Sequence, residues 1–503
     1  MSRTRNITIG ARSSVLARVQ AFAVGDALHA AVPGINIRYS FCQARGDLRP
    51  SETNVDVLTK QGGFTADLGE QLDDCAIDLA VHSWKDLPLS ERTHTEVVAA
   101  PPRADARDIL LLRRVVDPRR IDRPLRILSS SARRRINLQT FLTWALPWQV
   151  PLEFSPVRGD IETRLRKLLR GDGDALVIAK AALDRLLGAT AIGYPASAEC
   201  VRQALAVCHL MVIPLSAGPA APGQGALALE IRRDRRDLRE LLAEVSDRDT
   251  VELVRRERQR LAALGEDDHP VGITIQRFDY GDVEFMRGEH HGVPIEQASL
   301  HRRGSALPPP ARASDVWCGD QAEANPFERV ASTELPLRIS ANTGLLVARA
   351  DALPQSTQLA ADTVLWSAGL ATWRRLAARG LWVSGSDDSL GETAAVAMRH
   401  LLPQTSRWLK LSHDDGFDTP LAERFATYRL SRVRPTLNVH NHSHFFWQSG
   451  SQFREYLREY PALARAWHGC GPGNTLRIIR DAIGTANVRA FLSAQQFRTE
   501  LST

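Results

Sequence analysis

The first half of the chain alternates short apolar strands with amphipathic helices, and this cadence restricts the fold more than any other feature. Residues 6–9 read as a strand, after which Ser13 or Ser14 caps a helix carrying Leu16, Val19, Ala23 and Leu28 on one face. Pro33-Gly34 stops that helix, and residues 35–41 alternate apolar and polar side chains as a strand does. Phe64, Leu68, Leu72 and Cys75 fall at helical spacing before a strand through Ile77, Leu79 and Val81. Further strand–helix units follow at 127–142, 152–169 and 175–187. Such alternation predicts a mainly parallel sheet with helices on both faces. There is enough of it for two lobes with a cleft between them.

At 503 residues the chain is too long for one core. A helix is expected at 251–264, then a strand-rich stretch to about residue 300. The segment 301–314, HRRGSALPPPARAS, reads as a linker, because Pro-Pro-Pro favours a stiff extended conformation. Leu345-Leu346-Val347 opens a second series of strands and helices. With 44% hydrophobic and 24% charged residues the composition is that of a soluble globular protein. A net charge of +6 without a long Lys/Arg block argues against nucleic acid as partner, and no apolar run is long enough for a membrane span. The opening MSRTRNITIG has no apolar secretion segment, and the six cysteines are scattered without a C-x-x-C pair. Both point to a reducing cytoplasm.

Function is expected where strands give way to loops. The stretch Ala80–Pro88, AVHSWKDLP, sets Lys85 beside Asp86 after an apolar strand. Alone, such a pair is ordinarily solvated. Arginines at neighbouring turns alter that reading. Arg12 with Ser13-Ser14, Ser129-Ser130-Ser131 with Arg133-Arg134, and Arg158 with Arg164 all stand at strand-to-helix turns, and Arg185 lies on the next helix. Helix N-termini and guanidiniums both bind anions, so the pattern predicts a site for a polycarboxylate.

The segments IGARSSVLARVQA, ARGD (44–47), AVHSWKDLP, SSSARRRINL, VRGDIETRLRKL, ALVIAKAALDRL and APGQGALALE (221–230) occur in the order found in hydroxymethylbilane synthase, also called porphobilinogen deaminase. The chain resembles that family over roughly residues 5–275. The resemblance implies two lobes like periplasmic binding proteins, 1–102 with 205–235 and 103–204, plus a small α/β third domain at 236–300. It also implies condensation of porphobilinogen with loss of ammonia on a dipyrromethane primer held through a cysteine thioether, with no metal. Carried over by position, Asp86 is the catalytic acid. Arg12, Arg133, Arg134, Arg158, Arg164 and Arg185 bind acetate and propionate groups; Lys60, Lys85, Ser14 and Ser130 assist; Asp47 lies near the primer. Two departures stand out. Gly62-Gly63 runs directly into Phe64, omitting a lysine and its neighbours. The primer loop reads LGEDDHPVG at 264–272, with Asp267 in the cysteine slot, and a carboxylate cannot form a thioether.

Segments 361–392, 426–435, 444–456 and 470–482 resemble parts of uroporphyrinogen-III synthase, so 337–503 is expected to be a separate α/β domain after a linker at 301–336. That resemblance marks Tyr428 and Thr475. His440, His442 and His444 alternate, as residues on one strand face do. The expected protein is thus a tetrapyrrole-forming transferase fused to a ring-closing module. Two rivals fit the same residues: a repurposed pyrrole-condensing enzyme without a covalent primer, and a non-catalytic pyrrole-binding protein.

Overall fold

The computed structural model describes residues 5–43, 66–117, 119–265, 270–303, 308–319, 325–332, 337–392, 401–402, 405–433 and 439–501. Contacts divide the chain into two units: Met1–Thr143 with Val150–Gln276 and Phe285–Gln297, and Trp144–Gln149 with Arg277–Glu284 and Ala298–Thr503. The described residues form mixed α/β structure throughout.

The first unit contains two five-stranded sheets of matching design. In lobe 1, β1 (Arg5–Arg12) pairs in parallel with β2 (Ile35–Cys42) and β3 (Leu79–Ser83), while β10 (Leu227–Arg232) runs antiparallel to both β3 and β4 (Thr95–Ala99). In lobe 2, β6 (Leu125–Leu128) pairs in parallel with β7 (Leu152–Ser155) and β8 (Ala175–Ala179), while β5 (Asp108–Arg113) runs antiparallel to β8 and β9 (Cys208–Val212). Parallel neighbours need long crossovers. Helices α1 (Val15–Ala31), α2 (Ala66–Asp73), α3 (Ala132–Ala145), α4 (Ile161–Arg170), α5 (Lys180–Leu187) and α6 (Pro195–Val207) lie along these connections. The chain passes between the sheets twice, through 100–107 and 213–226.

Local chemistry explains the boundaries. Ser14 Oγ accepts from Ala17 N at 3.4 Å and caps α1; Asp160 accepts from Thr163 N at 2.8 Å and caps α4, which ends on left-handed Gly171. The lobe 1 core joins Ile7, Ile9, Val24, Leu28, Leu79, Val81, Leu229 and Ile231. Leu238, Leu241 and Leu242 of α7 (Arg236–Ala243) belong to that same core, so this helix is part of lobe 1 and not of the third domain expected from residue 236. Likewise β9 closes the lobe 2 sheet, so lobe 2 extends to Val212, beyond the boundary expected at 204, because Leu210, Met211 and Val212 are buried there. The third domain comprises α8 (Arg248–Ala262) and the sheet β11 (Gly272–Phe278), β12 (Gly281–His290) and β13 (Val293–His301), whose residues are divided between the two units.

The second unit holds two further α/β sheets and a two-stranded one. Val316–Cys318, His444–Trp447, Trp467–Cys470 and Val488–Ala490 form a parallel four-stranded sheet. Phe327–Ala331, Thr343–Val347, Val364–Ser367, Gly385–Ser386, Arg407–His413 and Glu423–Arg432 form a six-stranded sheet, and Arg338–Ile339 pairs with Gln358–Leu359 apart from it. The 301–336 stretch therefore contains two strands and is not a plain linker: Val316, Trp317 and Cys318 pair with His444, Phe445 and Phe446. The three alternating histidines do not share a strand either. Val439–Asn441 is a single 3-10 turn, and only His444 enters the strand.

Candidate active site

The two lobes enclose a cavity of about 740 Å³ lined by Arg12, Ser14, His82, Lys85, Asp86, Ser130, Arg134, Arg158, Arg164, Arg185 and Gln224, among others. Every strand-to-helix turn singled out in the sequence reaches it. Arg12 ends β1, and Ser13 N donates to Cys42 O at 2.8 Å, tying the turn to β2. Ser130 Oγ donates to Val157 O at 2.7 Å and accepts from Val157 N at 2.9 Å, locking two adjacent turns together. Arg164 Nε donates to Gly159 O at 2.8 Å; burial and Arg134 lower its pKa, and Asp86 opposes that shift. Arg185 donates to Gly225 O at 2.7 Å, and burial takes its pKa down to about 10.

Lys85 and Asp86 lie on the 3-10 turn Trp84–Asp86. Trp84, 3% exposed, anchors the turn in the core, and its N–H donates to Ala226 O at 3.0 Å. From α8, Arg258 donates to the carbonyls of Leu87 (3.1 Å) and Pro88. Lys85 Nζ donates to Gln224 Oε1 at 3.1 Å. Gln224 Nε2 donates in turn to Ala106 O at 2.6 Å and Asp108 Oδ1 at 2.8 Å. Its loop bends through Gly223 (φ +77°) and Gly225 (φ +88°), and a Cβ on Gly225 would stand 2.4 Å from Ala104 O. Glu257, fully buried, accepts from Gly223 N at 2.8 Å while Arg103 grips both its oxygens at 2.6 and 3.0 Å.

Arg133 and Arg134 differ in placement. Arg133 does not line the cavity; it donates to Pro219 O at 2.6 Å and Asp108 Oδ2 at 2.9 Å. Arg134 lines it but also holds Asp108 through two hydrogen bonds, at 3.1 and 2.7 Å. Asp47, Lys60 and Asp267 lie outside the described residues. Sequence reasoning missed His82, Asp108, Gln224 and Arg258. Only His82 and Gln224 stood within a quoted motif.

Burial lowers the Lys85 ammonium to about 8, against the pull of Asp86. Its charge is present below that value and lost above it. A carboxylate ligand keeps its charge across this range, so its affinity should fall about tenfold between pH 7 and 9, the size of one charged hydrogen bond. Calorimetric titration across that interval checks this, and Lys85→Met should flatten the profile. A flat wild-type profile counts against a ligand contact at Lys85.

Fold and site together define a two-lobed α/β protein whose cleft is lined by Arg12, Lys85, Arg134, Arg158, Arg164 and Arg185 together with Asp86 and Asp160. Residues 7–240 match the family model for porphobilinogen deaminase, dipyromethane cofactor binding domain. The porphobilinogen deaminase of Mycolicibacterium gilvum is 36% identical over 322 residues, 63% of this chain and 94% of that protein. Those of Roseiflexus sp. and Acidithiobacillus ferrooxidans are 32% and 34% identical, with 92% and 84% of their lengths covered by 61% and 56% of this chain. The chain belongs to the porphobilinogen deaminase family. No described helix is long and apolar enough to cross a membrane.

Proposed function

We propose that this protein condenses porphobilinogen, or a closely related pyrrole carboxylate, head to tail with loss of ammonia, as a cytoplasmic transferase of the hydroxymethylbilane synthase kind. The observation that carries this is the cavity wall, where Asp86 stands among Arg12, Lys85, Arg134, Arg158, Arg164 and Arg185. Guanidiniums hold the acetate and propionate groups and so orient the ring. Asp86 holds the aminomethyl ammonium, the C–N bond breaks to release ammonia, and the carboxylate stabilises the azafulvene cation left behind. The α-carbon of a second pyrrole then attacks the exocyclic methylene.

A dipyrromethane is itself a polycarboxylate, and the arginines suit its side chains. A thioether anchor does not suit this chain. None of the six cysteines lines the cavity: Cys200, Cys208, Cys318 and Cys470 are buried elsewhere, Cys75 is exposed beside Arg232, and Cys42 packs against Leu68, Leu72, Ile77 and Ala80. In this reading the acceptor pyrrole is held without a covalent bond, its carboxylates on the arginines. Intact-mass measurement of the purified protein, with and without porphobilinogen, should give the unmodified mass while ammonia is released. A stable adduct of two pyrrole units would overturn the non-covalent reading. Binding without ammonia release would leave a pyrrole-binding protein.

The reading extends to a uroporphyrinogen-III synthase-like second unit. Its support is topological: the four-stranded sheet begins at Val316, gives way to the six-stranded sheet, and resumes at His444, so both α/β sheets are accommodated. Tyr428 is buried in one sheet, and Thr475 follows the Gly471–Gly473 turn of the other. A tethered second site raises the effective concentration of a linear product. The macrocycle formed by the full chain should then carry one inverted ring, whereas uninverted product alone would mean an inert second unit.

A further inference from the structure

Condensation needs two departures beside the new carbon–carbon bond, and Asp86 serves only the first. The aminomethyl nitrogen must leave as ammonia, and the attacking α-carbon must lose its hydrogen. On the same cavity wall His82, four residues before Asp86 and 5% exposed, belongs to a buried relay that the mechanism above does not use. Its Nε2 lies 2.8 Å from Glu230 Oε2. Ala228 is the cross-strand partner of His82, so Glu230 is its diagonal neighbour on the adjoining strand. Glu230 is 3% exposed, accepts a hydrogen bond from Thr95 Oγ1, and stands 3.9 Å from Arg92 Nε. Burial raises its carboxyl, but His82, Thr95 and Arg92 outweigh that and hold it below the ordinary carboxylate value. An ionised Glu230 2.8 Å from Nε2 favours the tautomer with its proton on that nitrogen, and the lone pair is then on Nδ1. A carboxylate that orients an imidazole in this way is the usual arrangement for a general base.

The geometry points to His82, oriented by Glu230, as the base that removes the α-hydrogen after the two pyrroles join; this rests on the condensation reading above. The carbon–carbon bond forms as the acceptor attacks the azafulvene methylene. The α-C–H bond then breaks, its electron pair restores the aromatic ring, and the proton goes to His82 Nδ1. The imidazolium then returns that proton to solvent, and the ammonia released earlier takes up a proton there as ammonium. No oxidant or reductant is required.

The test compares ammonia release from porphobilinogen carrying hydrogen or deuterium at its free α-position, in the full chain. His82→Gln should lower turnover about 10²–10³-fold, the ordinary contribution of a positioned base. It should also raise the deuterium isotope effect above the wild-type value and leave porphobilinogen affinity within threefold. Glu230→Gln should show a smaller loss with the same isotopic signature, and added imidazole should restore turnover to His82→Ala. Loss of turnover with an unchanged isotope effect and no rescue would make His82 merely structural and overturn the inference, as would undiminished turnover. A wild-type protein that releases no ammonia would remove the condensation reading itself, and this inference with it.

Discussion

Replacing Asp86 by Asn is expected to lower ammonia release from porphobilinogen by roughly three orders of magnitude, with affinity changed no more than a few-fold. The asymmetry follows from where the side chain acts. Several cations line the cavity and would share the substrate's carboxylates, so losing one acid costs little ground-state binding. The azafulvene cation exists only on the reaction path, and Asp86 is the acid that the family resemblance places beside it. An amide offers a dipole where a full charge is needed. The turn itself should survive the change, since Trp84 and the Arg258 contacts to Leu87 and Pro88 hold it through backbone atoms. Turnover and binding measured side by side on the wild type and Asp86→Asn separate the two effects. Turnover within tenfold of wild type would return Asp86 to an ordinary surface acid.

The turns of this site were legible in the sequence because each is a local event. A hydroxyl capping a helix, a proline ending a loop and an arginine just inside a helix are all patterns of adjacent residues. Arg12, Ser130, Arg164, Lys85 and Asp86 could therefore be named from spacing and resemblance, and all line the cavity. What holds them could not. Asp108 has no motif around it, yet it gathers Arg133, Arg134 and Gln224 from segments far apart in the chain. Glu257 sits mid-helix among arginines and reads as one more solvated charge, yet it is buried and carries the Gly223 turn. The misplaced boundaries have the same origin. The α7 helix and the β9 strand were assigned by position along the chain, whereas their burial against distant strands decides where they belong. Val316–Cys318 hid behind Pro-Pro-Pro because its partner strand begins more than a hundred residues later.

Asp108→Ala should be the most damaging change that touches no substrate, costing about 3–5 kcal/mol, as removal of one partner from a buried ion pair does. Asp108 is 2% exposed, and its loss would strand two guanidiniums that are themselves about nine-tenths buried. Arg133→Met should cost less, because Asp108 keeps its two bonds from Arg134 and one from Gln224. Denaturant titration of the three proteins tests that order. The consequence for the site is separate from stability. With Asp108 gone, Gln224 loses one of its two acceptors, Lys85 loses a fixed partner, and the Arg134 guanidinium is left with only its 3.3 Å bond to Val177 O. Porphobilinogen affinity should therefore fall in the folded fraction of Asp108→Ala and hold in Arg133→Met, whose guanidinium does not line the cavity. Equal losses of affinity in both variants would mean that the buried cluster acts on the site as one block, and that the chain from Asp108 through Gln224 to Lys85 carries no specific share.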